Sequence, residues 1–363
     1  MSLKSPNFMT SNRVLVVKLS SLGDILHVTP CLKAVRKAFP KAEIIMPVDR
    51  RFIPVVQYNP NIDRILESTP LTSDPFSFLF GVIKGMAALI GKPFDVAVDF
   101  QGNRRSAAWM YASRARYKAG RGELRPGWNL AYLPDLDRHA VIVCTEIAQK
   151  IGVPVDELKP EIFLAEKDDR DLLSVLTKHD LPEDGFILVN PFSRWRSKTW
   201  LLERSADLIS KIYNDFHLPI LLTGGPGEED QAGELLHLIK SNQATSLVGK
   251  LTLGQAFCVY RRAMMMITCD SGPMHAAAAL GTHVVALFGP TLPERTGPWG
   301  EGHIVIQKAK PPIHHTYLTD FDQRYMKAID VQTVYDAVKT SLEKLLACDV
   351  MMAKPPQTGE IVR

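Results

Sequence analysis

Val14-Leu15-Val16-Val17-Lys18-Leu19-Ser20-Ser21-Leu22-Gly23-Asp24 passes from four consecutive aliphatic residues into a short polar turn, and Ile25, Val28, Leu32, Val35 and Phe39 then recur at helical spacing. A strand buried on both faces reads as such an unbroken apolar run, and it needs a parallel sheet covered by helices. Strand, turn and helix make one βα step. Comparable runs stand at residues 44–46 and 96–98, and again at 186–189, 220–222, 264–267 and 284–288. The pattern predicts an α/β chain with two Rossmann-like parallel sheets. Both halves carry strand, glycine turn and helix in one order, which suits two similar domains facing each other. Ligands of such sheets bind beyond the carboxyl ends of the strands, so the loops after the strands are where chemistry is expected.

At 363 residues the chain exceeds what one hydrophobic core usually serves. Pro154, Pro160 and Pro182 flank a highly charged stretch at residues 166–171, where strand patterning lapses. This predicts a linker over residues 164–183, with an N-terminal domain at 1–170 and a C-terminal domain at 171–346. Residues 331–346 have helical spacing, whereas residues 347–363 are expected to be a disordered tail.

Hydrophobic residues make up 46% and charged residues 23%, ordinary globular values that argue against disorder and against a multi-span membrane protein. A net charge of +4 does not demand a polyanionic partner, although it suits a protein that handles phosphates or approaches an anionic membrane. Nucleic acid finds no support, since no helix-turn-helix, zinc finger or RNP-type aromatic pattern is present. The five cysteines are scattered and odd in number, without the close pairs of a zinc site or disulfide framework. They read as free thiols of a reducing compartment. The first apolar run is too short for a signal-peptide core, and the apolar residues 76–91 are interrupted by Lys84 and fall short of the ~20 that a spanning helix needs. The expected location is cytoplasmic.

Asp24 is expected at or near a helix start. There an acid either accepts orphan backbone N–H groups as a cap or faces a cleft as a general base. Alternatively Thr29 caps a helix with Pro30 in its first position. The turn before Asp24 is neither a P-loop nor a dinucleotide fingerprint, which disfavours an NAD-linked reductase. Cys269-Asp270-Ser271-Gly272-Pro273-Met274-His275 follows another strand; Pro273 suits a helix start and Gly281 a stop. Ser271 and Gly272 then sit beside free N–H groups that can bind a diphosphate or simply begin a capped helix.

Asn190 to Trp200 holds Arg194, Arg196 and Lys198 close to hydroxyls, including Ser193. Fixed positive charge there would oppose the charge that grows on a leaving pyrophosphate, unless the loop is merely solvated. Glu228, after the Gly224-Gly225-Pro226-Gly227 turn, is placed to accept ribose hydroxyls or to serve as a first-turn acid. Asp99-Phe100-Gln101-Gly102-Asn103-Arg104-Arg105 also follows a strand, and Arg125 stands among the basic residues after it. Arginines in such a run dock phosphates or carboxylates, or form a solvated face. The acidic triplets at Asp135, Asp169 and Asp320 lie in polar segments and not at ends of buried strands, and the adjacent His314 and His315 do not converge on one ion in a regular element, so no metal and no cofactor is expected.

Taken together and in order, Lys18 to Asp24, Asp99 to Gly102, Asn190 to Trp200, Gly224 to Glu228 and Asp270 to His275 resemble glycosyltransferase family 9, the ADP-heptose:lipopolysaccharide heptosyltransferases. The resemblance spans residues 13 to about 340. It implies the GT-B architecture and inverting transfer of heptose from ADP-L-glycero-β-D-manno-heptose to the lipopolysaccharide inner core, a Kdo-lipid A or heptosyl acceptor, at the cytoplasmic face of the inner membrane. By motif, Asp24 resembles the catalytic base, and Ser193 and Lys198 resemble donor-phosphate contacts. Asp270, Ser271, Gly272 and His275 resemble the nucleotide-sugar loop, and Glu228 the ribose-binding acid. Arg104, Arg105 and Arg125 fall where acceptor-binding residues are expected. One departure lies at residues 311–326: many relatives carry cysteines near a Cys-Met pair, and here the pair is Tyr325-Met326. It leaves the heptosyltransferase step unassigned. The rival readings are a related enzyme with another nucleotide sugar and a catalytically silent nucleotide-sugar-binding module.

Overall fold

The computed structural model describes residues 11–68, 87, 89, 91–135, 137–239, 242–311, 323–351 and 361–362. The chain divides into two compact units, Met1–Phe163 and Leu164–Arg363, ahead of the border expected at residue 170.

The first unit contains β1 Arg13–Val17, α1 Leu22–Ala38, β2 Glu43–Asp49, β3 Arg64–Ser68, β4 Val96–Asp99, α2 Arg104–Ala112, β5 Tyr117–Arg121, β6 Leu130–Tyr132 and α3 Ala140–Lys150. Its sheet runs β3-β2-β1-β4-β5-β6, with parallel neighbours throughout. Val14, Leu15, Val16 and Val17 are fully buried, as the apolar run requires. Each such side chain contributes roughly 1.5–3 kcal/mol relative to exposure.

Helix α1 begins at Leu22 with Ser21 as its N-cap, and Asp24 is the third helical residue. The alternative start at Thr29 is not taken, although Pro30 lies inside the helix. Proline lacks the N–H that would bond the carbonyl four residues back, here Leu26. The Thr29 hydroxyl supplies the missing donor to the Leu26 carbonyl at 2.8 Å and accepts the Glu161 N–H at 2.9 Å. One side chain therefore carries the helix past its proline and ties the end of the first unit to it.

The second unit contains β7 Leu164–Ala165, α4 Glu166–Lys178, β8 Ile187–Asn190, α5 Leu202–Phe216, β9 Ile220–Leu222, α6 Glu229–Leu238, β10 Thr245–Ser246 and α7 Leu253–Arg262. It continues with β11 Met265–Cys269, α8 Gly272–Ala279, β12 His283–Leu287, α9 Pro293–Thr296, β13 Ile304–Ile306, α10 Arg324–Lys327, α11 Val331–Met351 and β14 Ile361–Val362. The main sheet runs β10-β9-β8-β11-β12-β13, again parallel. Both sheets thus share one winding, with the third, second and first strands on one side and the fourth to sixth on the other. The winding reverses between β1 and β4 and between β8 and β11, and a crevice opens beyond the carboxyl ends at each reversal.

The stretch expected to be a linker is structured. Residues 166–178 form α4, with Glu166, Asp168 and Asp169 in its first turn and Leu172 and Leu176 buried. The acids complement the positive end of the helix, and so narrow an apolar stripe hides among charges in the sequence. The expected disordered tail at 347–363 also differs in part: α11 continues to Met351, and Ile361–Val362 pair with Leu164–Ala165. Cys31, Cys144, Cys258 and Cys269 are buried free thiols. The apolar residues 76–91 lie outside the described residues apart from Ala87, Leu89 and Gly91. Among the described residues no helix is long and apolar enough to cross a membrane.

Candidate functional site

At the reversal of the first sheet, the loop after β1 meets the loop after β4. Gln101 Oε1 accepts the N–H groups of Leu19 at 3.1 Å and Ser20 at 3.5 Å. Asp99 in turn shapes the Gln101 loop: its Oδ1 accepts Gln101 N at 2.8 Å and Gly102 N at 3.1 Å, and its Oδ2 accepts the Ser106 hydroxyl at 2.7 Å. Burial pushes the Asp99 carboxyl above its ordinary value, against the pull of Ser106, those two N–H groups and Lys18. Gly102 adopts a positive φ of 76°, and a Cβ there would come within 3.1 Å of Arg121 Cγ.

Asp24 stands on this platform with both oxygens engaged. Oδ2 accepts the Ser21 N–H at 3.1 Å and the Ser21 hydroxyl at 2.8 Å, and Oδ1 lies 3.2 Å from Lys18 Nζ. Burial alone would raise the carboxyl, but Lys18, the two Ser21 donors and His27 outweigh it and hold Asp24 well below the usual carboxylate range. Its side chain is 46% exposed, whereas that of Lys18 is 3% exposed. The result is an ionised, fixed and solvent-reachable carboxylate. Deeper in the unit, burial pushes the Cys144 thiol up to about 11, and the charges of Lys18, Asp24 and Arg121 all reach it.

The second reversal is built from different residues. After β8, a 3-10 turn over Arg196–Lys198 brings Lys198 Nζ to 2.7 Å from Asp270 Oδ2, just after β11. The Thr291 hydroxyl donates to the same oxygen at 2.6 Å, and Gln307 pins the Thr291 loop through the carbonyls of Gly289 and Thr291. Ser271 is the N-cap of α8, Gly272 is its first residue and Pro273 its second. The Ser271 Oγ is buried and has no hydrogen-bond partner among the described residues. His275 lies in the first turns of the same helix, half-buried.

Across the same edge, Gly225 N donates to Glu228 Oε2 at 2.7 Å. Burial raises the Glu228 carboxyl, opposed by that N–H and aided by Glu229. Ser193 is half-buried, and its Oγ accepts Trp195 N at 3.3 Å. The arrangement can hold an anion beside a cation, an open hydroxyl and the N-terminus of α8.

A family model described as glycosyltransferase family 9 (heptosyltransferase) matches residues 82–322. The chain belongs to this family. It is 24% identical to the lipopolysaccharide core heptosyltransferase OpsX of Haemophilus influenzae over 78% of this chain and 81% of that protein. Its fold resembles the family 9 glycosyl transferase of Veillonella parvula, at TM-score 0.80 and 23% identity over 92% of this chain and 98% of that one. It also resembles the E. coli heptosyltransferase WaaC solved with ADP, at TM-score 0.70 and 22% identity over 91% and 99% of the two chains. Two parallel six-stranded sheets of one winding are the GT-B fold class of this glycosyltransferase.

The fold gathers Lys198, Asp270, Ser271 and Gly272 of this family 9 chain at one switch point and sets Asp24 at the other. The three candidate arginines separate. Arg104 is exposed at the start of α2, and Arg125 lies 5.7 Å over the Trp128 ring. Arg105 turns inward: its side chain is 10% exposed, with Nη2 2.9 Å from Ser68 Oγ and 3.8 Å from Asp49 Oδ2. Burial lowers its pKa, opposed by Asp49 and aided by Arg51. It is an internal tie that an acceptor could reach only by displacing those partners. The two tryptophans of the Lys198 loop also part, Trp195 being 42% exposed and Trp200 buried with its N–H on the Ile329 carbonyl.

Thr291 and Gln307 carried no signal in sequence, since they come from loops after β12 and β13 that only the sheet order brings to Asp270. Asp169 of the acidic triplets pairs with Arg262 at 2.7 Å, and Asp135 closes its own turn onto Asp137 N. Residues 314, 315, 320 and 322 lie outside the described residues.

Proposed function

We propose that this chain transfers heptose, with inversion, from ADP-L-glycero-β-D-manno-heptose to a hydroxyl of the lipopolysaccharide inner core. The observation that carries the reading is the carboxylate of Asp24, fixed by Lys18 and Ser21 at a switch point yet about half exposed. Family membership and the named function of the Haemophilus relative support the donor and the acceptor class.

In this reading the first unit binds the acceptor and the second the donor. Asp24 takes the acceptor proton as its oxygen attacks the anomeric carbon. Lys198, Ser193, the Ser271 hydroxyl and the N–H groups at the start of α8 hold the diphosphate as charge develops on it. Asp270 keeps Lys198 in place, His275 lines the sugar side, and Glu228 receives the ribose hydroxyls. Arg104 and Arg125 meet anionic groups of the acceptor, and the basic first unit rests against the cytoplasmic face of the inner membrane.

The test is Asp24→Asn assayed with ADP-heptose and deacylated lipopolysaccharide core. Transfer should fall about 10²-fold or more, with ADP binding retained. Near-normal transfer by the folded variant removes Asp24 from the mechanism. Parallel assays with UDP-sugars test the donor, and preferential transfer from one of them reassigns it.

A further inference from the structure

In the proposed chemistry Lys18 fixes Asp24 and takes no step of its own. It ends the buried run of β1, its side chain is 3% exposed, and its Nζ lies 3.2 Å from Asp24 Oδ1 and 3.5 Å from the Phe100 carbonyl. Burying an ammonium is costly unless it is paired and hydrogen-bonded. A structural cation could equally have been an apolar residue, as the four before it are. Here the charge is spent on one oxygen of one half-exposed carboxylate, and Ser21 engages the other oxygen.

Resting on the reading of Asp24 as the base, we propose that Lys18 is a positioning residue for the transfer. Its ammonium holds Asp24 in the orientation and charge state in which the carboxylate takes the acceptor proton only as the bond to the leaving diphosphate breaks. The acceptor oxygen bonds to the anomeric carbon, and the carbon–oxygen bond to the β-phosphate breaks with its electron pair going to ADP. The acceptor proton passes to Asp24 Oδ1 and then to water.

The timing follows from base strength. A carboxylate stabilised by an adjacent ammonium and two Ser21 donors is a weak proton acceptor. A sugar hydroxyl yields its proton to such a base only once its oxygen has begun to bond to an electron-poor carbon. The same weakness returns the proton to solvent quickly after each turnover.

Other charges around the carboxylate have to be counted. His27 lies on the same helix and lowers Asp24 further, and His139, at the start of α3, stands edge-on to His27 at 5.6 Å. Cys144 on α3 feels Asp24, Lys18 and Arg121, and Asp99 at the end of β4 feels Lys18. Lys18 Nζ lies within hydrogen-bond reach of Asp24.

The pH dependence of kcat with ADP-heptose and deacylated core reads the role directly. The native enzyme should show no acid limb between about pH 5 and pH 8. Lys18→Met should show one inside that window, well above the ordinary carboxylate value, because burial without the cation raises the carboxyl. Its kcat at pH 5 should be about ten-fold below its own value at pH 8, with the donor KM unchanged. Lys18→Arg, which keeps the charge, should restore the flat profile at a lower kcat. A Lys18→Met profile that superimposes on the native one, with Asp24→Asn inactive, overturns the role of Lys18. An active Asp24→Asn overturns the base reading itself, whatever Lys18 does.

Should Lys18→Met fail to fold, carboxyl NMR on the native protein decides, with the Asp24 signal assigned by difference from Asp24→Asn. Ionisation retained down to about pH 3 supports the proposal. Titration at the ordinary value of 3.8 refutes it.

Discussion

Lys198 Nζ and Asp270 Oδ2 meet at 2.7 Å across the point where the second sheet reverses its winding, 72 residues apart in the chain. Asp270 is 5% exposed and Lys198 22%. The pair presets the cation that the proposed donor site uses, and the Thr291 hydroxyl keeps the carboxylate side closed.

Lys198→Ala removes both the clamp and the partner of a buried acid. Transfer from ADP-heptose should fall by roughly 10²–10³-fold, as when one donor to a developing anion is lost. Unfolding in urea should show a loss of about 3 kcal/mol, the low end for breaking a buried pair because Thr291 still donates to Asp270. Unchanged ADP affinity together with unchanged stability would contradict both roles.

Gly120 is required for packing at the other switch point. A Cβ there would lie 2.7 Å from Asp99 Cβ, 2.8 Å from the Asp99 carbonyl oxygen and 2.9 Å from the Trp128 ring. The backbone oxygen cannot step aside cheaply, so Gly120→Ala should cost about 1–3 kcal/mol. Because Asp99 shapes the Gln101 loop that holds Leu19 and Ser20, kcat should fall more than the donor KM rises. Steady-state kinetics and a denaturation curve check the two parts.

His283 and His303 predict the acid side of the stability profile. Their rings stand 6.5 Å apart, and Val284 N donates to His303 Nδ1. Burial lowers His283, with Lys344 of α11 adding to it, and burial lowers His303, with His283 adding and the Trp299 backbone opposing. Folded imidazoles that bind protons less readily than unfolded ones leave stability intact above the ordinary value of 6.5. Below it the unfolded chain takes up protons first, so stability falls until the folded values are passed. Tm should therefore drop between pH 7.5 and 5.5, and His283→Gln should flatten that slope.

The central strands were legible because both faces are buried, which leaves an apolar run such as residues 14–17 or 265–267. The edges were not. Strand β3 alternates exposed and buried positions and carries Arg64 and Glu67. Strands β5 and β10 are likewise polar in composition, as loops are, whereas β6 and β13 are apolar but only three residues long. Helix α4 was hidden for a related reason, since only Leu172 and Leu176 of its charged sequence are fully buried.

For the site, sequence order placed Asp24, Lys198 and Asp270 after strands because strand and helix periodicities are local and survive in one dimension. It could not tell Arg104 from Arg105, which are adjacent and alike in charge, and only packing turns the second toward Asp49 and Ser68. Nor could it join Thr291 to Asp270 or Gln101 to Leu19, because those contacts depend on which strands become neighbours.

What the amino-acid order determined by itself was the central βα steps, their family and the loops that carry reactive groups. What the tertiary structure decided was which of those groups meet. Side-chain periodicity is set by neighbours a few residues away, whereas the partners of Lys18, Lys198 and Arg105, and hence their charge environment, are set by sheet winding and burial.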